Sequence, residues 1–323
     1  MNSYLASFIN RFSLFENQKE LKLPLLLMSA FGLSFCFKSY CFVWKYFLRP
    51  FPALNAKFGK SWAVITGGSA GIGLELARNL VLYGINVVLI ARSEKNLQSA
   101  SKEIMALKPG VLVRTISCDC SSPNFDSLRR SLQDLNISMV FNNVGVHNDI
   151  PTNTEDMSLD EVNRIITVNC NFQVHFTSLL IPILKKSTIK RPIVVNISSL
   201  TSQMVMPMLS VYAATKAFEE HWSVGLAAEL EPFNIDVICL RPGLTVSRMS
   251  GITDASFFCP SAKDMAYACL RMIGCGEQSV APYWPHALLD GINSWVPNSL
   301  AWPIVRKMHQ EKRDKLLSKE KDN

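Results

Sequence analysis

The sequence predicts an α/β protein with a doubly wound parallel sheet and helices on both of its faces. From residue 61 onward, short and continuous apolar runs alternate with helical patterns. Strands that are buried on both faces read as such runs, and their alternation with helices is typical of a parallel sheet. A glycine-rich segment also lies between the first apolar run and the first helical pattern, where such a fold turns from strand to helix.

The predicted strands and helices follow one another through the middle of the chain. The apolar runs that we predict as strands cover residues 62–66, 86–91, 111–118, 139–141, 192–197 and 236–240. A helical pattern follows the first run, and a polar helix follows the second run and ends at residue 107. Two further helical patterns cover residues 125–135 and 213–231. A long helix starts at Leu159, and Ser158 and Glu161 form a capping-box pattern at its start.

The composition excludes a disordered, collagen-like or coiled-coil protein, because 48% of the 323 residues are hydrophobic and 18% are charged. The mean hydropathy of +0.15 indicates that part of the chain contacts lipid. The net charge is +7, and many cations follow the apolar N-terminal stretch or lie in the C-terminal tail. This distribution favours a membrane surface over a nucleic-acid groove, so no nucleic-acid partner is predicted.

The cysteines and histidines predict no metal site. The 9 cysteines are odd in number, lack a CxxC pattern and lie mostly in apolar runs, which is typical of reduced thiols in a cytosol-facing protein. Cys118 and Cys120 have no second pair to complete a set of zinc ligands. The histidines show no metal-ligand spacing. His147 follows Gly145 closely, and we interpret it as a loop residue, with a position facing the ligand pocket as the alternative.

An apolar N-terminal segment predicts a membrane anchor. Residues 23–37 carry no charge, Lys38 interrupts the run, and residues 39–44 continue it. A span needs roughly 20 apolar residues, and residues 23–48 are long enough if the Lys38 ammonium reaches the interface. A helical hairpin in one leaflet and a helix packed on the following domain are the alternatives that the sequence leaves open.

The charges beside this segment indicate its orientation. Cations at residues 38, 45, 49, 57 and 60 follow the run, and no acidic residue lies between Lys38 and Glu75. Cations concentrate on the cytosolic side of an anchor, so we expect the rest of the chain to face the cytosol. We predict an anchor and linker over residues 1–56, the sheet domain over residues 57–282, and a Trp- and Pro-rich segment with a basic tail over residues 283–323.

The C-terminal segment carries recurring tryptophans, Trp284, Trp295 and Trp302, between prolines. Tryptophan beside basic residues favours a membrane interface, and the segment is predicted either to lie on the bilayer near the substrate entrance or to pack on the domain. Residues 308–321 are predicted as a charged tail. Lys319 and Lys321 match the dilysine form of retrieval signal, which is read in the cytosol.

The glycine-rich segment TGGSAGIG at residues 66–73 predicts a dinucleotide site. Glycines allow the backbone to turn tightly and to approach a pyrophosphate, and the N-terminus of the next helix offers free N–H groups. The position of the segment between a predicted strand and a predicted helix makes this motif specific. Its candidate cofactor contacts are Thr66, Gly67, Ser69, Gly71, Ile72 and Gly73.

The end of the second predicted strand indicates which nicotinamide cofactor is bound. An acidic residue at this point would bind the ribose 2′-hydroxyl and repel a 2′-phosphate. The chain has Arg92 and Ser93 there instead. A guanidinium makes charge-assisted hydrogen bonds with phosphate and the serine hydroxyl donates another, so the sequence predicts NADP(H). The alternative is that Arg92 is a solvated surface cation.

Tyr212 and Lys216 lie on one face of a predicted helix, and Ser199 follows the fifth predicted strand. With these residues, the sequence resembles the short-chain dehydrogenase/reductase family. The segment at residues 66–73 resembles its TGxxxGxG, NNVG at residues 142–145 its NNAG, and YAATK at residues 212–216 its YxxxK. The resemblance covers residues 57–282 and implies a Rossmann-type sheet in a single catalytic domain.

The resemblance also implies roles for individual residues. Tyr212 is implied to be the general acid that protonates a carbonyl oxygen, and Lys216 to lower the tyrosine pKa and bind the nicotinamide ribose. Ser199 is implied to hydrogen-bond that carbonyl oxygen, and Asn169 to hold a water of a proton relay. Asn142 is implied to steady the central strand. The other implied cofactor contacts are Asp119, Asn143, Gly145, Pro242, Gly243 and Ser247, where Ser247 replaces the more common threonine.

A closer similarity connects the chain with a membrane-bound subgroup of that family. KFGKSWAVITG at residues 57–67, NNVG at residues 142–145 and PYWPHAL at residues 282–288 resemble the 17β-hydroxysteroid dehydrogenases and very-long-chain 3-oxoacyl-CoA reductases of the endoplasmic reticulum. This implies an NADPH-dependent reductase that acts on a lipid-like ketone, either a 3-oxoacyl-CoA or a ketosteroid. A catalytically silent cofactor-binding scaffold is the alternative, and the presence of Tyr212 disfavours it. The family's long helices commonly pair subunits, so a homodimer is one expected form.

Overall fold

The computed structural model describes residues 18–321, and its side chains are described for residues 26–318. The chain divides after Pro50 into two compact units. In the described part of the first unit, helix α1 (Gln18–Val43) continues into a π-helical turn (Trp44–Leu48). The apolar stretch Leu26–Leu48 is long enough to cross a membrane by length and composition, and of its residues only Tyr46 is buried.

The second unit is built on a seven-stranded, wholly parallel sheet in the order β3-β2-β1-β4-β5-β6-β7. This confirms the predicted doubly wound parallel sheet. The strands are β1 (Trp62–Thr66), β2 (Asn86–Ala91), β3 (Val113–Ser117), β4 (Ile137–Asn142), β5 (Ile193–Ile197), β6 (Asp236–Leu240) and β7 (Ser279–Val280). Strand β7 was not predicted, because two residues are too short to form a readable apolar run.

The helices connect the strands and cover the sheet. They are α2 (Leu54–Phe58), α3 (Gly71–Leu82), α4 (Glu94–Met105), α5 (Phe125–Leu132), α6 (Leu159–Ile166), α7 (Phe172–Leu184), α8 (Ser210–Leu230), α9 (Ala262–Met272), α10 (Trp284–Asn293) and α11 (Asn298–Lys321). Ser158 caps α6 by accepting a hydrogen bond from the Glu161 N–H at 3.2 Å, which confirms the predicted helix start. The long helix predicted from Leu159 contains a π-helical turn (Thr167–Asn171) between α6 and α7.

The charged tail predicted over residues 308–321 is helical and belongs to helix α11, which the sequence did not predict. His309 is buried and its Nδ1 lies 2.6 Å from the Pro207 carbonyl oxygen, while Arg313 donates to the Pro151 carbonyl at 3.2 Å. This packing could not be predicted from the sequence, because few side chains of the stretch are apolar. Lys321 is the last helical residue, and residues 322–323 of the dilysine pattern lie outside the described residues.

The core on each side of the sheet is apolar and well buried. The strands β1, β2, β4, β5 and β6 contribute side chains with little or no exposed surface, and helices α5, α7 and α8 cover one face with a single hydrophobic cluster. Strand order reverses between β1 and β4, which are neighbours in the sheet. In parallel sheets the crevice for a ligand opens at such a point, beyond the carboxyl ends of the strands.

Candidate active site

The glycine-rich turn lies between the carboxyl end of β1 and the start of α3. Gly67 and Gly71 have φ angles of +65° and +56°, which side chains other than glycine rarely adopt. A Cβ at Gly73 would lie 2.4 Å from the Gly67 carbonyl oxygen, so the turn closes only with glycine. The intermediate positions Ser69 and Ile72 are partly exposed.

Helix α3 begins without a capping side chain, since Ala70 occupies the cap position and makes no side-chain hydrogen bond. The first N–H groups of a helix have no partner within the helix and favour an anion. Space is also open at Gly71, where a Cβ would have no neighbour within 4 Å. This turn therefore fits a dinucleotide pyrophosphate.

Thr66 joins the carboxyl ends of β1 and β4. Its Oγ1 accepts hydrogen bonds from the backbone N–H groups of Asn143 at 3.0 Å and Val144 at 3.1 Å, and Asn143 Nδ2 donates to the Thr66 carbonyl at 2.9 Å. Asn142 is buried on β4 and donates to Thr177 at 2.7 Å and to Asn196 at 2.8 Å. These hydrogen bonds hold the carboxyl ends of β1 and β4 together at the base of the crevice.

The residues predicted for the ribose phosphate lie at the end of β2. Arg92 is exposed, and Ser93 caps α4 by accepting a hydrogen bond from the Asn96 N–H at 3.3 Å. Asp119 follows β3, and hydrogen bonds from the Ser121 N–H and hydroxyl, together with the Arg92 charge, hold the pKa of its carboxyl below the ordinary value. Arg92 and Asp119 therefore lie on the same side of the crevice, close enough to interact.

Tyr212, Lys216 and Ser199 come together at the carboxyl end of β5. Tyr212 lies in the first turn of α8, and the Lys216 Nζ is 5.8 Å from the centre of its ring. Burial raises the pKa of the Tyr212 phenol, whereas the Lys216 ammonium and a hydrogen bond with Ser199 lower it. Ser199 starts the turn after β5, where its Oγ also accepts from the Thr201 N–H at 3.2 Å.

Lys216 is almost fully buried, and its ammonium is held from several sides. Its Nζ donates to the Ile197 carbonyl at 3.1 Å and to both carboxylate oxygens of Glu219 at 2.9 Å. A Cβ at Gly145 would lie 3.2 Å from this Nζ, so a larger residue there would crowd the ammonium. Glu219 was missed at the sequence level, although its place one turn after Lys216 was a signal.

Asn169 lies on the π-helical turn and is fully buried. Its Oδ1 accepts from the Val146 N–H at 2.8 Å, and its Nδ2 donates to the Val146 carbonyl at 2.8 Å and to Thr215 at 2.9 Å. The π-helical turn thus ties the β4 loop to α8, next to Lys216. Such turns occur often at functional sites.

His147 contacts the tyrosine of the site. Its ring packs edge-on against Tyr212, with centroids 5.7 Å apart, and its Nε2 donates to the Met249 carbonyl at 2.9 Å. His147 is a loop residue, as predicted, and the fold brings that loop onto Tyr212. Its position two residues after Gly145 was the signal for the alternative that it faces the pocket.

The turn after β6 closes the other side of the crevice. The Gly243 N–H donates to His286 Nδ1 at 3.0 Å, and the Pro242 carbonyl accepts from the Leu200 N–H at 3.0 Å. Ser247 is partly exposed, and its hydroxyl donates to Ser250 at 3.3 Å. His286 holds this turn in place through its hydrogen bond with Gly243. It was not recognised from the sequence, because the two residues are 43 positions apart.

Metal ligands are not clustered in the part of the chain that the structure describes: residues 18–321 contain no group of three or more His, Cys, Asp or Glu side chains able to hold an ion. All 9 cysteines lie in the described part of the chain, where none forms a disulfide bond, and most are buried. Cys118 and Cys120 are both buried beside Asp119.

An uncapped glycine-rich turn, a switch in strand order and a Ser–Tyr–Lys group define a nucleotide-dependent oxidoreductase with a doubly wound sheet. A family model described as short chain dehydrogenase matches residues 61–255. The chain belongs to the short-chain dehydrogenase family, as the sequence motifs predicted, and is an oxidoreductase.

Relatives of known name cover most of the chain. A very-long-chain 3-oxoacyl-CoA reductase of Coccidioides immitis is 33% identical over 84% of this chain and 81% of its own length. A protein of the same name from Ajellomyces capsulatus is 31% identical over 90% and 94% of the two chains. Among solved structures, a short-chain dehydrogenase from Sphingobium yanoikuyae in complex with NADPH aligns with a TM-score of 0.62 at 24% identity, over 73% of this chain and 96% of that one.

Proposed function

We propose that the chain is an NADPH-dependent reductase that converts the 3-oxo group of a long acyl-CoA to a hydroxyl group. The observation that carries this proposal is the placement of Tyr212 beside the Lys216 ammonium and Ser199, at the carboxyl edge of the sheet. The names of relatives that are 31–33% identical over most of the chain support the substrate class. Tyr212 disfavours a catalytically silent scaffold, because the side chain that donates the proton is present.

NADP(H) is the cofactor that fits the residues present. The open N-terminus of α3 accepts a pyrophosphate, and the exposed Arg92 is free to reach a ribose 2′-phosphate. Bound NADPH would supply the hydride for carbonyl reduction. On the opposite wall, Gly145 lies directly beside Lys216 Nζ, and Pro242, Gly243 and Ser247 lie on the turn after β6.

The side chains of the site supply the proton and bind the oxygen. Ser199 donates a hydrogen bond to the substrate carbonyl oxygen and stabilises the charge that develops there. Tyr212 gives its phenolic proton to the same oxygen. The Lys216 charge favours this transfer because it stabilises the tyrosinate that remains. Asn169 holds the β4 loop against α8 throughout.

The loop over residues 244–263 supports an apolar substrate. Leu244, Met249, Phe257 and Phe258 are exposed on it, and Phe257 packs edge-on against Trp284 with centroids 5.2 Å apart. Exposed apolar side chains grouped beside an active site favour a hydrophobic ligand. The acyl chain is therefore proposed to leave the site across this loop.

The anchor helix and the C-terminal helices support a location on a membrane. Helix α1 and the π-helical turn after it supply a largely exposed apolar stretch of 23 residues. Trp295 lies between α10 and α11 and is 80% exposed, and Leu300, Trp302 and Ile304 are exposed on α11 near the cations Arg306 and Lys307. Trp beside basic residues suits a lipid headgroup region. We propose that this C-terminal surface lies on the bilayer, while His309 and Asp290 fasten the same helices to the domain.

The endoplasmic reticulum membrane, with the catalytic domain in the cytosol, is the proposed location. The cations after the anchor, the Lys319 and Lys321 pair and the resemblance to the reticulum subgroup support it. Protease added to intact microsomes should digest the catalytic domain. Full protection would place that domain in the lumen.

We also propose that the chain forms a homodimer. Sedimentation of the purified protein in detergent tests this proposal.

Purified protein with NADPH and a panel of substrates tests the proposed activity. The panel contains 3-oxoacyl-CoAs of increasing chain length, ketosteroids as the competing class, and NADH as the cofactor control. We expect NADPH oxidation with long 3-oxoacyl-CoAs and weaker turnover with ketosteroids and with NADH. Turnover of ketosteroids alone would replace the proposed substrate, and NADPH binding without turnover of any ketone would favour the scaffold.

A further inference from the structure

A buried carboxylate, Glu219, lies next to the reaction centre, and the mechanism above leaves it without a role. It follows Lys216 by one turn on the same face of α8, and its side chain has no exposed surface. Both of its oxygens accept from Lys216 Nζ at 2.9 Å. Gln173 of α7 donates to Glu219 Oε1 at 2.9 Å and to the Val144 carbonyl at 3.2 Å.

The placement of this carboxylate is specific rather than incidental. An unpaired carboxylate in an apolar interior is strongly unfavourable, and an apolar side chain of similar volume would fill the space without that cost. The chain instead supplies a second buried polar residue, Gln173, to complete the hydrogen bonds of the carboxylate. The Glu219–Gln173 pair therefore holds the ammonium on which Tyr212 depends.

The groups that face Glu219 come from every element packed around it. Helix α8 contributes Lys216 and Tyr212, the π-helical turn contributes Cys170, and β6 contributes Cys239. Burial raises the pKa of the Cys170 thiol to about 11 and that of Cys239 to about 12, so both are neutral at physiological pH. Burial raises the pKa of the Glu219 carboxyl itself to about 7, against the pull of Lys216 and Gln173. At alkaline pH Glu219 is therefore a carboxylate, and of these groups Lys216 alone carries the opposite charge.

The Glu219 carboxylate acts in the same direction on both titrating partners. Burial raises the pKa of Tyr212, and the negative charge of Glu219 raises it further, against the pull of Lys216. Burial lowers the pKa of Lys216, but Glu219, together with Tyr212 and Cys239, more than reverses this effect. Loss of the carboxylate charge should therefore lower the pKa of the phenol and that of the ammonium together.

We propose that Glu219 is a positioning residue, which holds the Lys216 ammonium through both carboxylate oxygens and keeps the Tyr212 phenol protonated over a wider pH range. The proposal rests on the function proposed above, in which Tyr212 donates a proton. Reduction needs both the phenol and the ammonium in their protonated forms, so activity ends at the pH where the first of them loses its proton. Glu219 moves that limit upward.

The pH dependence of kcat for NADPH-dependent 3-oxoacyl-CoA reduction tests this role. Glu219→Gln keeps the shape and one acceptor oxygen but removes the charge. We expect the alkaline limb of its kcat profile to move to lower pH by roughly 1 unit or more. Glu219→Asp keeps the charge on a shorter side chain, so its limb should lie between those of the native enzyme and Glu219→Gln.

A merely structural role would lower kcat in both variants without moving the limb. Identical alkaline limbs in the native enzyme and both variants would overturn the proposal, as would a limb that moves to higher pH. If Glu219→Gln fails to fold, Glu219→Asp still decides the question, because its limb must lie below the native one.

Direct titration of the phenol separates this proposal from the proposed function. The ultraviolet absorbance of tyrosinate is measured as the difference between each protein and its Tyr212→Phe counterpart, with no substrate present. We expect Tyr212 to titrate at lower pH in Glu219→Gln than in the native protein. Such a shift in a protein that reduces no 3-oxoacyl-CoA would sustain the role of Glu219 and reject the substrate. An unshifted pKa of the Tyr212 phenol in a protein that reduces 3-oxoacyl-CoA would reject the role of Glu219 and sustain the proposed function.

Discussion

The backbone N–H of Gly243 donates a hydrogen bond to Nδ1 of His286, at 3.0 Å, across the turn that follows β6. Nδ1 is therefore the unprotonated nitrogen, and Nε2–H donates to the Phe258 carbonyl at 3.0 Å. A Cβ at Gly243 would lie 3.0 Å from the imidazole. One neutral, buried histidine thus joins the cofactor side of the site to the apolar loop that carries Phe258.

This arrangement predicts a loss of stability in mild acid. Burial lowers the pKa of His286 below its ordinary value, although the bond to Phe258 opposes the change. The histidine then binds a proton more readily in the unfolded chain than in the folded one. Its contribution to the free energy of unfolding is therefore complete above about pH 6.5 and falls as the pH drops below that value. Urea unfolding at pH 7.5 and 5.5 should show this fall, and His286→Gln should reduce it. An equal fall in both proteins would assign it to other groups.

Replacing Gly73 by alanine should disrupt the phosphate turn. The new Cβ would lie 2.4 Å from the Gly67 carbonyl oxygen and 2.6 Å from Asn143 Nδ2, so we expect a loss of about 1–3 kcal/mol in unfolding free energy and weaker NADPH binding. Gly225→Ala is the matched control, because that site on α8 has open space, and helix propensity there should add about 0.5–1 kcal/mol. Denaturant unfolding compares the two, and equal effects would contradict the close approach.

Arg92→Ala should weaken NADPH binding far more than NADH binding. The exposed guanidinium at the end of β2 is proposed to make one or two charge-assisted hydrogen bonds with the 2′-phosphate, each worth about 1.5–3 kcal/mol. Titration of cofactor fluorescence gives both dissociation constants. An equal loss for the two cofactors would show that Arg92 does not recognise the phosphate.

Deleting residues 1–48 should release part of the protein from membranes without unfolding the sheet. The sheet belongs to a separate compact unit that starts at Phe51, so its core should survive. Flotation with liposomes measures the binding that remains. We expect Trp295→Ser with Trp302→Ser to remove it from the truncated chain, because these exposed tryptophans lie on the C-terminal surface. Full membrane binding after all of these changes would contradict both proposed contacts.

The sequence predicted the parts of the fold whose signals are local. Strand β6, for example, reads as an uninterrupted apolar run from Val237 to Leu240 because both of its faces are buried. Helix α11 was missed because its polar sequence packs through isolated side chains such as His309. Strand β7 was missed because its two residues pair with β6 only through the tertiary fold.

The site divides in the same way. Tyr212 and Lys216 lie in one motif and were predicted from it, and the structure places them together. The partners that position them come from distant segments: Gln173 lies 46 residues before Glu219, and His286 lies 43 residues after Gly243. Periodicity and spacing carry no information about such pairs, since only the folded chain brings them into contact.

The most direct test of the proposed mechanism is the reduction of a long 3-oxoacyl-CoA by Tyr212→Phe. The change removes the phenolic hydroxyl and keeps the ring that packs against His147. We expect kcat to fall by about 10²–10⁴-fold, while NADPH binding and the unfolding midpoint stay close to native. A variant that binds NADPH and retains near-native turnover would show that Tyr212 does not donate the proton, and would contradict the mechanism at its centre.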